Sequence, residues 1–203
     1  MTLSNWTPTE NKKPSPTNKG SSDTDAIYLA VGFSLSRWEH MEMGLIRLFQ
    51  LLCETPSFAA CRAYGTLESS FAKVGMLRAS ANAFFGGRNA IDSEYHKDIK
   101  ALFAAYEKAQ QYRNNIAHGI AVGYNLPEGG HSGYFLCPPS YSTKKIKNVD
   151  SREIYLLGAS YWYTADDILH YGKRFENMLA EVMRLISAVN AKYSVLKDSQ
   201  FHP

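Results

Sequence analysis

The sequence predicts an all-α protein, a bundle of four main helices with a small antiparallel β insertion between helices three and four. Three observations carry this reading. Apolar residues recur at spacings of three and four over four long stretches, capping-box patterns open two of those stretches, and after Gly119 the period shortens to that of strands. With 45% hydrophobic and 20% charged residues in 203, the chain has enough apolar surface for one well-buried domain and is not disordered throughout.

Residues 1–22 are rich in Pro, Ser, Thr, Asn and Lys and cannot bury enough apolar surface to offset the entropy of ordering, so a disordered tail is expected there. The helical domain is placed at 23–195 and a short C-terminal tail at 196–203. A capping box, Ser22 to Asp25, opens the first helix, whose inward stripe is Ile27, Val31, Leu35, Trp38, Leu45, Phe49 and Leu52 before Pro56 ends it. A second helix is expected from about Ser57 to Phe85 on Leu67, Phe71, Val74, Leu77, Ala81 and Phe84, weakened at Gly65 and Gly75 and stopped by Gly86 and Gly87. Asp92 is read as the cap of a third, with Tyr95, Ile99, Leu102, Tyr106, Ala109, Arg113 and Ile116 on its inward stripe. Beside that stripe runs a polar row, Glu107, Gln111, Asn114 and His118.

Four short segments rich in aromatic and β-branched residues follow: AVGYNL, GYFLCP, REIYLL and SYWYT. They predict an antiparallel insertion of three or four strands at about 120–163. Thr164 to Asp167 is a second capping box. It opens a last long helix carrying Ile168, Tyr171, Phe175, Met178, Val182, Leu185, Val189 and Tyr193.

A formal charge of +3 neither demands nor opposes a polyanionic partner. The three cysteines, Cys53, Cys61 and Cys137, form no paired framework and no zinc spacing, which suits a reducing compartment. No apolar run is long enough for a membrane span and no basic start leads into an apolar stretch, so neither a membrane partner nor a signal peptide is expected, and the cytoplasm is the expected location.

The most informative string is YRNNIAHGI, 112–120, where an Arg and a His sit five positions apart as a helix runs out into glycine. A guanidinium can grip phosphate oxygens bidentately, and an imidazole titrating near neutrality can move a proton on or off a ribose hydroxyl. Such chemistry needs no metal and no cofactor. The spacing alone is weak, and five residues turn an ideal helix by about 140°, so Arg113 and His118 are not stacked on one face. Glu42 interrupts the apolar stripe of the first helix, where an acid is costly unless paired or facing a wet groove. One bland reading therefore makes Arg113 its ion-pair partner and His118 a residue favoured by the helix C-terminal dipole.

The fuller string RNNIAHG, within an all-helical chain, resembles the HEPN superfamily, whose signature is an Arg followed four to six residues later by His, often with Asn just after the Arg. The resemblance implies a helical-bundle fold, usually a symmetric homodimer. It also implies metal-independent endoribonuclease activity, in which the 2′-hydroxyl attacks the adjacent phosphate to leave a cyclic phosphate. Arg113 and His118 would be the catalytic pair, with Asn114 and, more loosely, Glu42 in support. RNA is the implied substrate, and toxin–antitoxin or anti-phage settings would add an antitoxin or regulatory protein as partner. Two rivals stay open: a non-catalytic HEPN-like dimer module that binds nucleotides or a protein, and a scaffold with no site.

Lys144, Lys145, Lys147 and Arg152 lie within nine residues of an expected loop and are candidates to hold an RNA backbone, although such a run is commonly just solvated. Tyr124, Tyr134, Tyr141, Tyr161 and Tyr163 could stack bases, yet aromatics at strand spacing more often pack.

Overall fold

The computed structural model describes residues 19–125, 132–139 and 161–195. In chain order the elements are α1 (Thr24–Leu52), α2 (Phe58–Gly65), α3 (Ser70–Gly86), α4 (Glu94–His118), β1 (Ile120–Asn125), β2 (Ser132–Cys137) and α5 (Ala165–Tyr193). The described chain is thus mostly helical, with one two-stranded antiparallel sheet. No helix among the described residues is long and apolar enough to cross a membrane.

The helix starts follow from local hydrogen bonding, and two differ from the sequence reading. At α1 the cap is Asp23, whose Oδ1 accepts from Ala26 N at 2.7 Å, while Ser22 donates its hydroxyl to Asp23 Oδ2. At α4 Ser93, not Asp92, accepts from His96 N. In both cases the residue nearest the first helical turn reaches the orphan N–H groups first. The Thr164–Asp167 box of α5 forms in full: Asp167 N donates to Thr164 Oγ1, and Thr164 N donates to Asp167 Oδ2.

The single helix expected over 57–85 is instead two. Thr66 closes α2 after Gly65, and Ser69 opens α3 by accepting from Ala72 N at 3.1 Å. Capping at both sides of the break offsets the lost helical bonds. The break also corrects one inward assignment. Beginning α3 at Ser70 turns Ser70 toward Gln110 of α4, and Phe71, one residue further round, is 84% exposed.

β1 and β2 pair from Ile120↔Cys137 to Asn125↔Ser132. Of the four expected strand segments the first two form this sheet, and the fourth contributes an isolated bridge in which Tyr163 and Leu136 exchange backbone hydrogen bonds. REIYLL lies outside the described residues. On the same free edge of β2, Ser21 and Tyr134 exchange backbone bonds, so residues 19–21, placed in the tail by composition, join the sheet. Gly133 permits this with φ +100°, and a Cβ there would meet Ser21 O at 2.9 Å.

The chain divides into two compact units. The described part of one comprises Glu39–Gln110 and the residues from Glu176 onward, and its interior is built on Leu45, Leu77, Phe85, Phe103, Val182 and Leu185. The other comprises the described residues up to Trp38 and within Gln111–Phe175, with Ile27, Ile116, Phe135, Ile168 and Phe175 buried. Within it Trp38 meets Phe175 edge to face at 5.1 Å, and Gly172 lets α5 approach α1 so closely that a Cβ would lie 2.6 Å from Ser34 Oγ.

Candidate functional site

The last two turns of α4 carry the Arg–His string, and their fixity comes from the residue between the pair. Asn115 is buried. Its side-chain Nδ2 donates to Tyr163 Oη at 3.1 Å and its carbonyl accepts from Tyr161 Oη at 3.0 Å. Tyr161 and Tyr163 stack on one another, Tyr112 stacks on Tyr171 at 4.5 Å between centroids, and Tyr163 abuts Tyr171. Burial raises the hydroxyls of Tyr161, Tyr163 and Tyr171 above the usual phenol value, so they stay protonated and neutral at physiological pH. These tyrosines serve as packing and positioning groups and leave no faces for bases.

Gly119 completes the anchor. A Cβ at this position would meet Leu136 Cγ at 2.6 Å and Asn115 O at 2.9 Å, so β2 closes against the end of α4 only because the residue after His118 has no side chain. Sequence reading took this glycine as a helix stop, and α4 does end at His118; close approach is its second part in the fold.

On this anchored end Arg113 is half-buried, and Nη1 of its guanidinium donates to Asn114 Oδ1 at 3.3 Å. Asn114 and His118 are exposed, as are Gln111 and Glu107, so the polar row faces solvent along its length. A guanidinium with an amide beside it, and an exposed imidazole in the final turn, thus lie on the same helix end.

Glu42 belongs to the other unit. It is 7% exposed and accepts from Tyr106 Oη at 2.5 Å and from Lys73 Nζ at 2.9 Å. Burial, with the Glu42 charge behind it, raises the Tyr106 phenol far above its ordinary value. A stripe-interrupting acid is therefore met by a lysine and a phenol, and neither had been singled out as its partner. Lys144, Lys145, Lys147, Arg152 and Tyr141 lie outside the described residues. No family model matches this chain, and neither a curated protein nor a solved structure does.

Asn115 and Ser21 are the positioning residues that sequence reasoning did not single out, while Tyr161 and Tyr163, considered there for base stacking or packing, hydrogen-bond to Asn115. One signal was present: Asn115 falls three residues after Tyr112 and next to Ile116, which puts an amide on the inward side of α4 where it must find partners. Nothing comparable marks Ser21, whose hydroxyl accepts from Ala165 N, the first amide of α5, at 2.8 Å. The buried thiol of this unit is held protonated. Burial pushes the Cys137 thiol up to about 12.

Proposed function

We propose that this chain is a metal-independent endoribonuclease of HEPN type, built on a helical bundle with its β insertion between the last two long helices and working as a homodimer. The observation that carries the reading is the solvent-reaching Arg113, Asn114 and His118 on a helix end pinned by Asn115, Tyr161 and Tyr163. Positioned groups need this kind of support, because a reacting geometry loosened by an ångström loses most of its rate advantage. Arg113 stabilises charge on the non-bridging phosphoryl oxygens. His118 accepts the 2′-hydroxyl proton, and the partner subunit's equivalent imidazole donates one to the leaving 5′-oxygen, giving a 2′,3′-cyclic phosphate and a free 5′-hydroxyl. A role in the cytoplasm as a toxin or anti-phage effector held by an antitoxin belongs to the same proposal.

The test is cleavage of labelled single-stranded RNA by the purified chain in the presence of a chelator, with product ends identified by mass. Cyclic-phosphate ends are expected. His118→Ala should lower the rate by about 10² to 10⁴ with the melting temperature unchanged. Equal cleavage by His118→Ala and the parent, or RNA binding with no cutting by either, overturns the catalytic reading; the second result favours a binding module.

A further inference from the structure

A groove between α3 and α4, within the unit that carries Glu42, encloses a cavity of about 270 Å³ lined by Arg78, Ala81, Asn82, His96, Lys100 and Phe103. Its floor is apolar and fixed: Ala81 and Phe103 are buried, and His96 is fully buried, stacked on Phe85 at 4.9 Å. The imidazole is a wall rather than a ligand, since its Nδ1 donates to Ile91 O and its Nε2 is met by the Asn82 side-chain amide. One N–H of that amide answers the ring, and the other is left to donate elsewhere.

The rim is cationic and contains no carboxylate. Arg78 shares its charge with Glu107, to which Nη2 donates at 2.8 Å, while Lys100 makes no ion pair among the described residues. The lining therefore holds one uncompensated positive charge beside an aromatic and aliphatic floor. We propose that this groove binds a small organic monocarboxylate, its carboxylate held by Lys100 with Arg78 and Asn82, its apolar body resting on Ala81 and Phe103. The charge count favours a monoanion over a dianionic phosphate, and the volume, just under the range of about 300 to 1,000 Å³ typical of ligand pockets, admits a body of one ring or a short chain. This site stands apart from the ribonuclease reading and does not depend on it.

Benzoate is the probe. Titrated into the full chain and followed by amide chemical shifts, it should saturate with a dissociation constant of about 1 to 10 mM, moving the Asn82 side-chain amide and the Ala81 and Phe103 backbone signals. Lys100→Met should weaken it by at least about tenfold, and Lys100→Arg should restore most of the loss. Benzyl alcohol, of the same shape without the charge, should not saturate, and inorganic phosphate should bind more weakly than benzoate. Lys100 is exposed, so its variants test the site without threatening the fold. Absence of saturable benzoate binding, equal binding of benzyl alcohol, tighter binding of phosphate, or indifference to Lys100→Met each overturns the proposal.

Discussion

Glu42, almost withdrawn from water, keeps its charge company through Lys73 and the Tyr106 hydroxyl. Removing the carboxylate strands a buried phenol and leaves a part-buried ammonium unpaired, so Glu42→Ala should lower unfolding stability by about 2 to 3 kcal/mol, read from the urea midpoint. His118→Ala removes only an exposed side chain and should leave that midpoint alone. Nearby, Tyr64 is buried with a hydroxyl that has no hydrogen-bond partner among the described residues, a standing cost of about 1 to 3 kcal/mol. Tyr64→Phe keeps the ring against Phe49 and deletes the orphan, and it should raise stability; a drop of about 1 kcal/mol or more would show that the hydroxyl has a partner. At this scale the sequence marks residues that break a pattern: Glu42 and Arg113 are read so, and Asn115 carries a signal that goes unread. It does not mark who answers them, because Lys73 and Tyr163 come from distant parts of the chain.

At the scale of elements, hydrophobic period and capping chemistry are legible wherever they agree. The α5 box, its stripe and the exposed polar row of α4 were all readable from spacing. The expected 57–85 helix failed because periodicity survives a short break: Val74, Leu77, Ala81 and Phe84 keep their phase whether or not a turn is lost at 66–69. The sheet is harder still, since which segments pair is set by partners far along the chain. Gly133 gives a direct check. An alanine there must hold φ near +100° and press on Ser21 O, so Gly133→Ala should cost about 1 to 3 kcal/mol and weaken the Ser21–Tyr134 bridge. Calorimetry of the variant showing an unshifted melt would mean the turn relaxes without penalty.

At the scale of the molecule, five phenols among the described residues, those of Tyr64, Tyr106, Tyr161, Tyr163 and Tyr171, are raised above 10.0 chiefly by burial. Unfolded phenols release protons above pH 10 while the folded ones keep theirs, so the unfolded state binds fewer protons and stability falls as pH rises. Their contribution is fully present below pH 10 and is lost through the alkaline range. The urea midpoint should be flat to about pH 9 and decline steeply by about pH 11, with phenolate absorbance of these five appearing together with loss of the helical signal. Phenolate growth without unfolding would contradict it.

The backbone bridges on the outer edge of β2 carry a kinetic corollary. Tyr134 and Leu136 of one strand lend amides to Ser21, just ahead of α1, and to Tyr163, just ahead of α5, while the Ser21 hydroxyl holds the opening amide of α5. Deuterium uptake at positions 21, 134, 136, 163 and 165 should therefore proceed at a common rate. Loosening any one of these threads frees both helical starts at once.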